Sequence, residues 1–308
     1  MNNTSAHFTP HLLLVLSQVL IASSFPVTAM LDLNSSVISL NILRFVIAVV
    51  CLAPFVLFKP RYRNQLKQTW LKGMIIGGFY SAYFQFLFIS LKHTTPLHTG
   101  TLYTLTPFLT AVLSFMIWRY RVNRYELLAY VVGSLGTAWV VFKGQIDLIL
   151  GFHLNPGDWI YLGAVVCMSL YILSMKILHK GEDAIVMTFS ALLGGLIVTS
   201  LAAFFMGVEL GWLSLSTHDF TVLFYIAVAT SLMTSYLTQK ASQKLLSIEV
   251  TTYIYLSPVF VAIEVAILGG QFPELKVLPG IVLSVFATLV LLYFAQIKKR
   301  ELSRASSE

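Results

Sequence analysis

The chain has 308 residues, of which 57% are hydrophobic and only 11% charged, with a mean hydropathy of +0.81. A soluble globular domain carries roughly twice that charged fraction, which excludes an ordinary water-soluble enzyme or binding module. The formal net charge of +7 follows from where the basic residues fall in the chain, and it requires no nucleic-acid partner.

A helix needs ~20 apolar residues to cross a bilayer. In chain order the apolar segments are 11–30, 37–58, 71–91, 97–118, 126–142, 158–178, 185–206, 220–239, 249–270 and 276–296. Segment 126–142 is short, and 220–239 is rich in Thr and Ser. The prediction is an all-α membrane protein of ten transmembrane helices. The first segment reads as a span and not as a signal peptide. No Lys or Arg precedes Leu12, and Ile21-Ala22-Ser23-Ser24 makes a poor cleavage site.

A polar side chain in hydrocarbon is tolerated mainly where it faces protein or a water-filled cavity. The first span offers Ser17, Gln18, Ser24 and Thr28. The second carries Arg44, ~12 Å deep at 1.5 Å per residue. The third has Gly73 and Gly77 in a GxxxG pattern that signals close helix contact. Ser81 and Gln85 follow, flanked by Tyr80, Tyr83 and Phe84. The fourth span has the clearest polar stripe. Thr99, Tyr103, Thr106, Thr110 and Ser114 fall at i, i+4, i+7, i+11 and i+15, one face of an α-helix.

The sixth span adds Tyr171 and Ser174, the eighth Thr234 and Tyr236, and the ninth Thr251 and Tyr255. Together these predict a central cavity in which Gln85, Tyr103, Thr106, Thr110, Tyr171 and Tyr255 contact a solute. The competing reading is that the hydroxyls merely allow close packing and bond back to their own backbone. Glu264, in the ninth span, lies ~9 Å from its outer end. Arg44 and Glu264 are the two ionisable residues well inside spans. They are candidates for a buried ion pair, with Glu264 as the alternative site of proton coupling. Pro107 and Pro258 each remove a backbone hydrogen bond mid-span and should kink their helices, as hinges or as fixed bends.

The ten segments form a run of five that repeats. A shift of 151 positions, counted along the sequence, lays Leu105-Thr106-Pro107 on Leu256-Ser257-Pro258, and carries Thr101 to Thr252, Ala129 to Gly280, Gly136 to Ala287 and Thr137 to Thr288. Five is odd, so the two units, 11–142 and 158–296, should sit upside down relative to each other, an arrangement common in secondary transporters. Lys and Arg resist translocation. They cluster at 59–72, 119–124, 176–180, 240–244 and 298–304, all on one side, whereas the other side holds Lys92, Lys143 and Lys276. Both termini are therefore expected in the cytoplasm. Cys51 and Cys167 lie in different spans, without zinc or CxxC spacing.

On these marks the chain resembles the drug/metabolite transporter superfamily, in its ten-span branch with two EamA-type repeats. The residues that carry the resemblance are Leu43-Arg44-Phe45 with Ala48, the Leu-x-Pro segments at Pro107 and Pro258, and the small-residue pairs Ala129/Gly136 and Gly280/Ala287. The Gly-Glu pair usual at the end of the fourth span of each repeat reads Arg119-Tyr120 and Gly270-Gln271 here. The resemblance implies alternating-access transport of small organic solutes across the cytoplasmic (inner) membrane, as an exporter of amino acids or related metabolites. The expected partners are a small-molecule substrate and the lipid bilayer, with the protein a monomer or homodimer. A passive channel remains an alternative. An intramembrane enzyme is disfavoured because no HExxH, GxSG-like serine or in-span carboxylate pair is present. No cofactor, metal or nucleotide motif is visible.

Overall fold

The computed structural model describes residues 3–31, 36–118, 124–142, 144–147, 154–212, 215–245, 247–269 and 274–305. Within a bilayer every backbone N–H and C=O must be satisfied inside the chain, and the described residues accordingly form helices and no strands. The first three are α1 (Asn3–Thr28), α2 (Val37–Leu57) and α3 (Pro60–Ser90). The fourth crossing, α4, is two helices, Pro96–Leu102 and Thr106–Trp118, joined by the 3₁₀ turn Tyr103–Leu105. Next come α5 (Arg124–Val141), α6 (Pro156–Leu178) and α7 (Ala184–Met206). The eighth, α8, spans Thr217–Ser242, with one π-helical turn at Val228–Met233. The ninth, α9, joins Ser247–Thr252 to Ser257–Ile267 through the 3₁₀ turn Tyr253–Leu256. A last helix, α10 (Leu278–Ala305), completes ten. Nine of these are long and apolar enough to cross a membrane, and α5 has a shorter apolar stretch, Glu126–Val140. That is the segment whose sequence is shortest.

The bends in α4 and α9 have one cause. Pro107 and Pro258 have no N–H to give, so the turn just before each tightens into 3₁₀ geometry. Shifting Tyr103–Leu105 by the repeat offset places it within Tyr253–Leu256. The two breaks thus occupy equivalent places in the two halves.

Glycine holds the bundle at two crossings. A Cβ on Gly73 would lie 2.2 Å from the Ser190 carbonyl oxygen, and one on Gly194 would lie 2.0 Å from that of Gly73. The backbones of α3 and α7 therefore touch directly, as small residues permit in a membrane. Between α5 and α10, a Cβ on Gly136 would lie 2.7 Å from Gly280 O, and one on Gly280 would lie 2.6 Å from Gly136 O. The repeat shift sends this pair onto Ala287 and Ala129, both buried. The crossing is thus small on both sides of its midpoint.

Helix ends are capped by side chains. Asn155 and Asp158 form a reciprocal capping box on α6, and Ser216 accepts from Asp219 N at 3.0 Å on α8. The loop between α6 and α7 is tied to α3 by a Lys72–Glu182 ion pair and by Arg61 with Asp183 at 3.0 Å. Burial alone would raise the Glu182 carboxyl. The hydrogen bonds from Lys72 and from the Lys180 N–H outweigh it and hold the carboxyl below its ordinary 4.5. A depressed folded value means this contribution is complete above 4.5 and is lost as pH falls through the folded value. The melting temperature of the purified protein should therefore drop on acidification below that point. Glu182→Gln should remove part of the drop, and an unaltered acid limb in that variant would refute the assignment.

Arg119, Tyr120, Gly270 and Gln271, at the ends of the fourth span of each repeat, lie outside the described residues, as do Arg121 and Lys143.

Candidate functional site

A cavity of about 320 Å³ lies among α1, α3, α4, α6, α8 and α9, so both halves of the chain wall it. On α1 the wall is Ser17, Gln18, Ile21 and Ser24. These stand in place because α1 is stitched to α8 and α9: Ser17 Oγ is 2.9 Å from Thr238 Oγ1, and Gln18 Nε2 donates to Ser257 Oγ at 2.7 Å. On α8 the wall is Thr230, Thr234, Ser235, Thr238, Gln239 and Ser242, a hydroxyl and amide face that recurs with helical period. Thr251 and Ile254 come from the bent part of α9.

The remaining walls are aromatic and apolar. Tyr80 of α3 stacks on Tyr171 of α6, centroids 4.5 Å apart and planes at 19°, an arrangement aromatic pairs favour. Phe84, Met168 and Ile172 continue this surface. At one end, Lys176 of α6, His179 just after it and Gln243 after α8 line the mouth, and Lys176 and Gln243 are exposed. At the other end the space stops at Tyr83 and Tyr103. These pack with two residues behind them: Phe25 lies 5.8 Å from Tyr103, and the Tyr83 and Tyr161 hydroxyls are 3.4 Å apart. Beyond this aromatic floor, Asp158 accepts from Thr94 Oγ1 at 2.7 Å and meets His98 Nδ1 at 3.2 Å, joining the starts of α4 and α6. The cavity is open at one end and closed at the other.

Gln18, Ser24, Tyr80, Tyr83, Thr234 and Thr251, all named from sequence, line this cavity. Of the six residues expected to contact a solute, Tyr103 and Tyr171 line it too, and Gln85, Thr106, Thr110 and Tyr255 do not. The reason for the two threonines is geometric. Three 3₁₀ residues advance about 120° each instead of about 100°, so the stripe turns by roughly 60° across Tyr103–Leu105. Past the turn, the Thr106 carbonyl meets Ser169 Oγ of α6 at 3.4 Å, and both threonine side chains are buried in packing. Tyr255 is fully buried against Gly133 of α5, where a Cβ would lie 2.4 Å from its ring. Gln85 is half-buried on the face of α3 turned from the cavity. Pro107 and Pro258 sit at the breaks of α4 and α9.

Arg44 and Glu264 do not pair with each other. Arg44 is fully buried and reaches α8: Nε donates to Ser231 Oγ at 2.6 Å and Nη2 to Thr230 Oγ1 at 3.0 Å. Both hydroxyls pass their protons to the Ile226 carbonyl, at 2.9 and 2.8 Å. The π turn makes this possible, because it brings residue 231 back over Ile226, five positions earlier. The guanidinium also lies 3.5 Å over the Phe84 ring, a cation–π contact. Glu264 is half-buried on the second piece of α9, away from the cavity wall. The pairing argument used charge and depth alone, and hydroxyls on a π turn carry no charge to match.

Sequence reading missed Met168, Ile172 and Met175, and most of the α8 wall. The signal on α8 was present: 230, 234, 235, 238, 239 and 242 are all Ser, Thr or Gln at helical spacing. The same richness in Ser and Thr made the segment look like a weak span. Among the described residues, no group of His, Cys, Asp or Glu could hold a metal ion.

The EamA-like transporter family pattern matches the chain twice, over residues 9–142 and 155–293. An uncharacterized transporter of Bacillus subtilis (strain 168), YyaM, is 26% identical over 147 residues, 45% of this chain and 47% of the relative. The matched stretch thus spans about half the length of that relative. A protein crystal structure superposes with a TM-score of 0.65 over 95% of this chain and 98% of its own, at 17% identity, which shows the shared fold.

Proposed function

This chain belongs to the EamA-like transporter family, and from that premise we propose that it carries small organic solutes across the cytoplasmic membrane by alternating access, exporting amino acids or related metabolites. The observation that supports this most is the one-ended cavity walled by both halves. An open channel would need a continuous path, whereas the aromatic floor of Tyr83, Tyr103, Tyr161 and Phe25 closes this one. The mouth lies at the helix ends next to the α6–α7 and α8–α9 connections. With ten crossings these are on the same side as both termini, the side rich in Lys and Arg, which faces the cytoplasm. The described state is thus the one that loads from inside.

In this reading the units 11–142 and 158–296 move against each other, and the breaks before Pro107 and Pro258 absorb the change. Tyr171 and Tyr103 contact the solute from the wall and the floor, with Gln18 and the α8 hydroxyls as hydrogen-bonding partners.

The test begins with cells overproducing the protein, whose medium should accumulate one or a few small metabolites relative to an empty vector. The purified protein in vesicles should then exchange the same compound across the membrane. Unchanged medium together with no exchange of any released compound would overturn the proposal.

A further inference from the structure

Resting on the transport reading above, we propose that Arg44 gives the cavity a positive bias, so that it accepts solutes with a neutral or anionic head, such as a carboxylate, on a flat apolar body and excludes organic cations. Arg44 stands directly behind the wall. Thr230 and Phe84, which it touches, are themselves wall residues. Its partners are two hydroxyls and the rings of Phe84 and Phe88, all uncharged, and Nη1 bonds to no protein acceptor. No carboxylate among the described residues forms an ion pair with it.

The cavity wall, among the described residues, contains no Asp or Glu. Glu249 is buried on α9 beside the wall residues Val250 and Thr251 but is not part of the wall, and the carboxylates at the two ends are engaged elsewhere. Asp158 is held by Thr94, His98 and Asn155 beyond the aromatic floor. Glu182, 3.6 Å from His179 at the mouth, is matched by Lys72. A charge without a counter-ion in a low-dielectric wall acts over several ångströms, and a cleft with one sign of charge concentrates the opposite sign inside. The walls suit such a solute. The Tyr80–Tyr171 stack and Phe84 offer apolar faces, and Gln18, Gln239 and the α8 hydroxyls offer neutral polar contacts.

The experiment reads the sign of the cavity without needing the solute. In the full chain carrying Cys51→Ala and Cys167→Ala, and Lys176→Gln to remove the cation at the mouth, one cysteine is placed on the wall by Ile172→Cys. Its reaction rates with a sulfonate-bearing methanethiosulfonate and with the trimethylammonium analogue are measured. Each is divided by the rate of the same reagent with a small free thiol. The normalised anion-to-cation ratio should be about 10 or more. It should persist in Arg44→Lys and collapse towards one in Arg44→Gln.

A ratio near or below one with Arg44 in place would overturn the proposal, as would a high ratio that Arg44→Gln leaves unchanged. Should Arg44→Gln fail to fold, the ratios with Arg44 and with Arg44→Lys decide alone. Brisk reaction without charge preference would remove this inference and leave the transport reading standing. No reaction with either reagent would mean the cavity is not open to water, and both would fall.

Discussion

Gly73→Val should abolish recovery of folded protein. The added side chain would start from a Cβ only 2.2 Å from the Ser190 carbonyl oxygen and 2.8 Å from Ser190 Cβ. Both are anchored in α7, whose own Gly194 lies against Gly73 O from the other side, so nothing flexible can yield. Overpacking in a tight interior costs about 1–3 kcal/mol and occasionally more. With backbone on both sides the penalty should reach at least about 3 kcal/mol, a large share of a marginal stability. Gly78→Ala is the control, because a Cβ there meets nothing closer than Val198 Cγ2 at 3.8 Å. Monodisperse yield in size-exclusion chromatography and the melting temperature report the outcome. Normal behaviour of Gly73→Val would show that the α3–α7 contact is looser than described.

Thr234→Trp should eliminate transport while the protein folds normally. Thr234 is on the cavity wall, and its hydroxyl donates to Thr230 O at 2.7 Å in its own helix and lies against the Tyr80 hydroxyl. An indole at this position can enter a cavity of about 320 Å³ without displacing a helix. It would take the space a solute needs. Exchange in vesicles should fall by about 100-fold or more, equal to about 2.8 kcal/mol of lost binding, and Thr234→Ser should stay near the parent. Undiminished exchange by Thr234→Trp would place the solute path elsewhere.

Helix positions were legible in the sequence because apolar length is a direct demand of the bilayer. Span 37–58 appears as Val37–Leu57 and span 185–206 as Ala184–Met206. The close crossing at Gly73 and Gly77 was legible too, though not its partner α7, since only small residues let backbones meet. The cavity-lining residues were less so. The α4 stripe assumed one helical period from Thr99 to Ser114, and the 3₁₀ turn before Pro107 broke it. Proline announces a break, but periodicity does not say how far the face rotates. Arg44 failed for another reason: a search for a partner of opposite charge passes over Ser231 and Thr230, which become partners only through the π turn. The polarity of α8 was visible, yet it counted against the segment as a span when it marked a wall.

The α5–α10 pair carries a consequence of its own. These two helices, locked by Gly136 and Gly280, give no described residue to the cavity wall. The contacts that clamp them and the side chains that line the cavity are therefore different sets of residues. Substitutions on the wall leave this clamp untouched, and substitutions in the clamp leave the lining of the cavity unchanged. Folding and cavity chemistry can thus change separately at this crossing, whereas on α1 the Ser17–Thr238 and Gln18–Ser257 bonds serve both.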